Sequence, residues 1–137
     1  PLPYIFDVRA VHAWAVASGN EATIILNDVK NGDVLIFRRV WDEFAHVFPD
    51  EAENVPVAQF KREAVTDEHR AAAGTLVDRS NAAFGHFGPY DNCVEWCVCG
   101  IAACGPYTIV TDDRRKPLYD KIDGLSVLTF KEYLDEH

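Results

Sequence analysis

The chain alternates short apolar runs with longer segments whose apolar residues recur at helical spacing. Helical segments lie between the apolar runs, and a short helix, KEYLDEH, follows the last one. Strands separated by helices predict a parallel sheet, here of about four to five strands, in a three-layer α/β sandwich. The predicted strands are YIFDV (4–8), DVLIFRR (33–39), YTIVT (107–111) and SVLTF (126–130).

The segments between these strands end at residues that commonly stop helices. RAVHAWAVAS is closed by Gly19, and EATIILNDVKNG stops at Gly32. VWDEFAHVF starts a helix that Pro49 ends. One or two helices are predicted within 53–84, followed by a loop over 85–92. CVEWCVCGIAACG predicts a compact buried helix, which its central glycine weakens.

Length and composition predict one folded domain covering residues 1–137. The sequence has 137 residues, and 48% of them are hydrophobic, which favours a globular chain with its own core. No apolar run reaches the roughly 18 residues that a membrane span needs. The first residues, PLPYIFDVRA, lack the basic start and apolar core of a signal peptide. We therefore expect a cytoplasmic protein.

The net charge opposes one kind of nucleic-acid binding, through a broad positively charged surface. Lys and Arg number 13 against 22 Asp and Glu, which gives a net charge of −9. Such a balance opposes a broad cationic surface that grips phosphates. An acidic pocket that holds Mg²⁺ could still accept a phosphodiester through the metal. The surplus of acids also suits a basic partner protein.

The four cysteines favour packing over metal binding. They fall close together with the spacing C-x3-C-x-C-x4-C, which lacks the paired C-x2-C of the usual zinc sites. Small apolar thiols on one helix are typical of a reduced core. The residues concerned are Cys93, Cys97, Cys99 and Cys104.

Acidic residues are predicted to converge at one edge of the sheet. Asp7 ends the first predicted strand, and Asp112 with Asp113 end the third. The carboxyl ends of parallel strands meet at one edge, where ligands gather. Glu43 lies in the helix after the second strand. Glu95 lies in a helix otherwise built of apolar or small residues, where a carboxylate is costly without a partner.

Each acid also has a simpler interpretation. Asp7 could only cap a helix or form a turn. Glu43 alone is more often a solvated helix residue. The Asp112–Asp113 pair could be a turn that Arg114 and Arg115 neutralise. The convergence of all these acids on one edge is what favours a metal site.

The order of these segments resembles a PIN-domain nuclease. YIFDV, VWDEF, an acid in a small-residue helix, IVTDDR and LSVLTFKEYL follow one another between Tyr4 and Leu134. The strand followed by T-x-D is the most specific part. The family includes the VapC-like ribonuclease toxins of toxin–antitoxin pairs. The resemblance implies a central parallel sheet, a homodimer, and a pocket of three or four acids that binds Mg²⁺ or Mn²⁺.

The resemblance assigns the first two acids directly. Asp7 matches the acid after the first strand, and Glu43 matches the acid in the following helix. Members of the family usually place Ser, Thr or Asn just after the first acid. Here Val8 and Arg9 stand there, and Arg9 could pair with the acids or with a substrate phosphate.

The third and fourth acids each have an alternative. Glu95 matches the third acid, because it stands 18 residues (113 minus 95) before Asp113, a separation typical of the family. Asp91 is its rival, at the start of the same helix. Asp113 fits the T-x-D pattern as the fourth acid, and Asp112 beside it could substitute.

These assignments predict metal-dependent hydrolysis of RNA phosphodiesters. The carboxylates would hold Mg²⁺ or Mn²⁺, which prefers oxygen ligands, polarises the phosphoryl group and lowers the pKa of a bound water. Asp7, Glu95, Asp113 and Asp112 are the expected metal ligands, Glu43 supports them, and Arg9, Arg114 and Arg115 are expected to bind substrate phosphates.

Two other functions stay open from the residues. In the first, the pocket is degenerate and the chain acts by binding a partner such as an antitoxin; Arg9 among the acids motivates it. In the second, the chain is a haloacid-dehalogenase-like phosphatase, which Arg9 opposes by occupying the last position of D-x-D. The sequence contains no phosphate-binding loop of the nucleotide-binding sheets.

Overall fold

The computed structural model describes residues 3–80 and 94–137. The predicted loop over 85–92, together with Asp91 and Cys93, lies outside these ranges. Four strands form one sheet in the order β2-β1-β3-β4, and every neighbouring pair is parallel. The predicted α/β architecture with a central parallel sheet is confirmed. The strands are β1 (Tyr4–Phe6), β2 (Val34–Leu35), β3 (Thr108–Thr111) and β4 (Ser126–Thr129).

Eight α-helices and a 3-10 turn at Val57–Gln59 connect the strands within the described ranges. The helices are α1 (Val8–Ala15), α2 (Gly19–Asn31), α3 (Arg38–Val47), α4 (Pro49–Ala52), α5 (Asp67–Ser80), α6 (Val94–Ala103), α7 (Lys116–Asp120) and α8 (Phe130–Asp135). Helix α3 ends just before Pro49, as predicted. Pro49 also opens α4, because proline suits the first position of a helix. None of these helices, within the described residues, has the length and apolarity needed to cross a membrane.

Three predicted strands end earlier than the sequence pattern indicated, and the first of them, predicted over 4–8, ends at Phe6 because Asp7 caps α1. The strand predicted over 33–39 is only two residues long, and Phe37 already caps α3. Beyond Leu35 the chain pairs with another segment, because the Glu63 N–H donates to the Ile36 carbonyl at 2.9 Å and the Glu63 carbonyl accepts the Arg38 N–H at 2.8 Å. The strand predicted over 126–130 stops one residue early.

A capping box sets the boundary between β4 and α8. The Thr129 hydroxyl accepts the Glu132 N–H at 3.1 Å, and the Glu132 carboxylate accepts the Thr129 N–H at 2.9 Å. This reciprocal pair satisfies two backbone donors at the start of α8. Phe130 therefore opens the helix instead of closing the strand.

The register of β1 and β3 brings the predicted acids to one edge. Phe6 pairs with Val110, and the Asp7 N–H donates to the Val110 carbonyl at 3.2 Å. Asp7 and Thr111 are therefore neighbours where the two strands end. The strands themselves are buried, with Ile5 and Ile109 fully inaccessible in the middle of the core. A rigid sheet edge thus supports the first acid.

Helix α6 packs so closely on α5 that its glycine is required. A Cβ at Gly100 would lie 2.3 Å from the His69 carbonyl oxygen and 2.8 Å from the Ala73 Cβ. The glycine that weakens the helix on propensity alone therefore permits the contact between the two helices. Cys99 on the same helix is fully buried, and burial raises the pKa of the half-buried thiols of Cys97 and Cys104.

Candidate active site

Asp7 is the deepest acid at the sheet edge. Its side chain begins α1, where Oδ1 accepts the Ala10 N–H at 2.9 Å. Oδ2 accepts the phenol of Tyr119 at 2.9 Å, and Asp7 is only 1% exposed. The simpler interpretation of Asp7 as a helix cap is therefore correct in part. The second oxygen shows that the residue also has a tertiary role.

The environment of Asp7 makes its charge costly. Burial raises the pKa of Asp7 from 3.8 to about 6, against the lowering effect of the Thr111 hydroxyl, the Ala10 N–H and the Tyr119 phenol. Glu95 raises the pKa further by like-charge repulsion. A buried acid that lies beside a second acid at a cleft is typical of a functional site.

Glu95 and Glu43 line a cleft next to Asp7. Glu95 lies in the first turn of α6, where its side chain is 12% exposed and its Oε1 is 3.9 Å from Nη2 of Arg115. Glu43 lies in α3, one turn after Arg39, whose Nη1 is 3.3 Å from Oε1 of Glu43. The cleft measures about 230 Å³ and is lined by Val8, Arg9, Glu43, Val47, Phe48, Val94, Glu95 and Arg115. We call it the acid cleft.

A second cleft lies beside it and is rich in arginine. It measures about 300 Å³ and is lined by Arg9, Asp112, Arg114, Arg115 and Leu118. We call it the arginine cleft. Arg9 and Arg115 line both clefts, so the two spaces share a wall.

Asp112 and Asp113 differ in what they do at the end of β3. Asp112 Oδ1 accepts the Arg115 N–H at 2.8 Å, which fixes the turn between β3 and α7. Asp113 is exposed. The turn-forming role that the sequence allowed for this pair thus belongs to Asp112, while the choice between them as fourth acid stays a prediction.

A solved structure shares the arrangement of strands and helices. A chain of the DNA-bound VapBC complex from Salmonella typhimurium superposes with a TM-score of 0.70, covering 95% of this chain and 99% of that chain at 14% identity. This chain has a PIN-like fold. No family model matches the sequence, and no curated protein matches it significantly. The resemblance is therefore confirmed at the level of the fold.

The PIN-like fold brings Asp7, Glu43 and Glu95 to one region without assembling a closed metal site from the described residues. Residues 3–80 and 94–137 contain no group of three His, Cys, Asp or Glu side chains placed to hold an ion. The donor chemistry nevertheless fits a hard divalent cation, because Asp7, Glu43 and Glu95 offer only carboxylate oxygens. Asp7 and Glu95 also repel each other, which a bound cation would relieve.

Two residues of the site were missed at the sequence level. Tyr119 contacts Asp7 across 112 residues of sequence, and nothing in KPLYD distinguishes it from a packing tyrosine. Thr111 stood in the T-x-D pattern and could have been singled out, because it directly ends β3 opposite Asp7. Asp91, the rival of Glu95, lies outside the described residues.

Proposed function

We propose that this chain is a divalent-metal-dependent ribonuclease that hydrolyses RNA phosphodiesters, acting as the toxin of a toxin–antitoxin pair. One observation carries the proposal. The buried carboxylate of Asp7, whose pKa is raised to about 6, faces Glu95 at the edge of a PIN-like sheet. Keeping a charge there is unfavourable for stability, and a cation that binds the pair offsets the cost.

The acids would share the metal unequally. Asp7 and Glu95 are the primary ligands in this proposal, with Glu43 across the acid cleft and Asp113 or Asp112 at the end of β3 in support. Mg²⁺ or Mn²⁺ bound there supplies charge stabilisation at the phosphoryl group and an acidified water. The Tyr119 phenol and the Ala10 N–H orient Asp7 by holding one oxygen each.

The arginine cleft suits the phosphates of the substrate. Arg9, Arg114 and Arg115 face one space in which Asp112 is the only acid among the lining residues. Guanidinium groups bind phosphate oxygens in pairs, which fixes the position of the strand. The chain as a whole carries a net charge of −9, which opposes RNA binding over a broad surface, so the proposal assigns the phosphate contacts to this cleft.

Calorimetric titration with Mn²⁺ tests the proposal. The parent chain should bind Mn²⁺ and cleave RNA, whereas Asp7→Asn and Glu95→Gln should each lose binding and at least about 100-fold in cleavage rate. Asp123→Asn is the matched control, because this exposed acid precedes β4 and lies at the opposite edge of the sheet. Mn²⁺ binding that survives Glu95→Gln unchanged would remove Glu95 from the site.

A second candidate function is binding of a basic partner protein, such as an antitoxin. The ion pairs Arg39–Glu43 and Arg115–Glu95 favour it, because they neutralise two acids without a metal. A parent chain that binds no Mn²⁺ and cleaves no RNA, yet binds a basic peptide as tightly as Asp7→Asn does, would support this function. The homodimer and the cytoplasmic location stay predictions of the resemblance and the sequence.

A further inference from the structure

Arg115 connects the two clefts. Its side chain is 26% exposed and lines both the acid cleft and the arginine cleft. Its guanidinium lies 3.9 Å from the Glu95 carboxylate, beyond the usual range of a hydrogen bond. The pair is therefore held by charge alone, without the geometry of a bidentate contact.

Hydrogen bonds hold the backbone of Arg115, whereas, among the residues that the structure describes, its guanidinium makes only the long contact with Glu95. Asp112 Oδ1 accepts its N–H at 2.8 Å, and its carbonyl accepts the Tyr119 N–H at 3.2 Å in α7. Both neighbours belong to the site edge, so the Cα of Arg115 cannot leave it. The guanidinium of Arg115 can therefore move from one cleft to the other only by rotation about the bonds of its own side chain.

The two clefts offer this guanidinium unequal partners. In the acid cleft Arg115 meets Glu95, and in the arginine cleft it lies with Arg114 and Asp112, while Arg9 lines both clefts. A phosphate in the arginine cleft would find three cations and would draw Arg115 into a paired contact. The attraction of Arg115 would then no longer compete with a cation for Glu95, whose charge already repels that of Asp7.

We propose that Arg115 exchanges between Glu95 and a phosphate of the RNA, so that phosphate binding in the arginine cleft increases the affinity of the acid cleft for a divalent cation. The inference rests on the proposed function and deepens it. Arg115 is a positioning residue in this scheme, because it acts through Glu95. Linkage is reciprocal, so the cation increases the affinity for phosphate by the same factor.

The experiment measures Mn²⁺ affinity by calorimetry with and without sulfate, a stable mimic of the phosphate, at equal ionic strength. In the parent chain sulfate should tighten Mn²⁺ binding about tenfold, within the range of ordinary site-to-site coupling. Arg115→Gln should bind Mn²⁺ about fivefold more tightly without sulfate, and sulfate should no longer change its affinity.

Arg114→Gln is the matched control. It removes one positive charge from the same arginine cleft and leaves the Arg115–Glu95 pair in place. It should weaken sulfate binding and leave Mn²⁺ affinity without sulfate nearly unchanged. Arg115→Lys keeps the charge and loses the paired donors, so its coupling should fall between those of the parent and Arg115→Gln.

Three results would overturn the inference. Equal tightening of Mn²⁺ binding in Arg114→Gln and Arg115→Gln would show a general effect of charge, and unchanged Mn²⁺ affinity in sulfate would remove the coupling. Either result leaves the metal site of the proposed function intact. Absence of Mn²⁺ binding in the parent and in folded Arg115→Gln, with and without sulfate, would overturn the proposed function and this inference together.

Discussion

The same pair of side chains occurs at both ends of β1, with opposite electrostatic consequences. At one end Tyr119 donates to Asp7 at 2.9 Å, directly after the strand. At the other end Tyr133 donates to Asp28 at 2.5 Å, and its ring packs on Tyr4, the first residue of the strand, at 5.1 Å between centroids. Burial raises the pKa of both tyrosines, so both remain donors.

The difference lies in the third group of each cluster. In the cluster of Tyr133 and Asp28, Nε2 of His137 lies 2.5 Å from the Asp28 carboxylate, and the imidazole can carry a positive charge that pairs with it. The first acid, Asp7, is 1% exposed and has Glu95 as its charged neighbour. One cluster therefore stabilises the fold, while the other keeps a charge at the cost of stability.

The largest effect is expected at Asp7. Its folded pKa of about 6 lies above the unfolded value of 3.8, so the folded state holds its proton more strongly. Stability should therefore fall as the pH rises from about 4 to about 6, and the loss should be complete above that window. Asp7→Asn avoids the loss and should raise the free energy of unfolding at pH 8 by about 1 to 3 kcal/mol.

Urea unfolding at pH 4 and pH 8 measures this effect. The gain of Asp7→Asn over the parent should disappear at pH 4, where the parent carboxyl is protonated. Asp123→Asn should follow the parent at both values. An Asp7→Asn chain that is less stable than the parent at pH 8 would end the distinction between the two clusters.

The two tyrosines sharpen the comparison further. Tyr119→Phe and Tyr133→Phe each remove one hydrogen bond to a carboxylate and should each cost about 1.5 to 3 kcal/mol at pH 8. Only Tyr119→Phe should also change Mn²⁺ affinity, because only Asp7 belongs to the proposed site. A change in Mn²⁺ affinity of similar size in Tyr133→Phe would show that the two ends of β1 are coupled.

The smallest effect is expected at His137. Burial alone would lower the pKa of His137, but the hydrogen bond and the charge of Asp28 outweigh it and raise the pKa above 6.5. Its stabilising contribution is therefore complete below pH 6.5 and is lost as the pH rises through the folded value. Solvent still reaches both side chains, which are 26% and 16% exposed, and screens the pair, so His137→Ala should cost only about 0.5 kcal/mol at pH 5.5.

Thermal unfolding at pH 5.5 and pH 9 checks this prediction. The difference between His137→Ala and the parent should be smaller at pH 9 than at pH 5.5, because the imidazole loses its charge as the pH rises through its folded pKa. A loss of the same size at both values would show that His137 acts only by packing on Tyr133, whose ring lies 4.9 Å away between centroids.

The sequence predicted the parts of this molecule that follow from local patterns. The apolar runs located all four strands of the described sheet, and the rule for parallel sheets placed Asp7 at the edge where β1 and β3 end. The start of α8 was missed although Thr129 and Glu132 carry the signal of a capping box. The short β2 was not foreseen, because the sequence pattern does not show that the chain after Leu35 pairs with Glu63 from a distant segment.

The contacts that give the candidate site its electrostatics were beyond sequence reasoning. Tyr119 reaches Asp7 only through the packing of α7, and the Arg115–Glu95 pair depends on side-chain conformations. The separation of two residues along the sequence does not predict whether their side chains meet in such contacts. The arginines near the acids were predicted, but the position of Arg115 between two clefts required the fold.

The close approach of α6 to α5 has a consequence for engineering. The backbone oxygen of His69 cannot yield as a flexible side chain would, so a methyl group at Gly100 must push α6 away from α5. Glu95 is carried by the same helix and would travel with it. A substitution at position 100 would therefore shift the Glu95 carboxylate by moving α6. It would do so without changing any charged side chain.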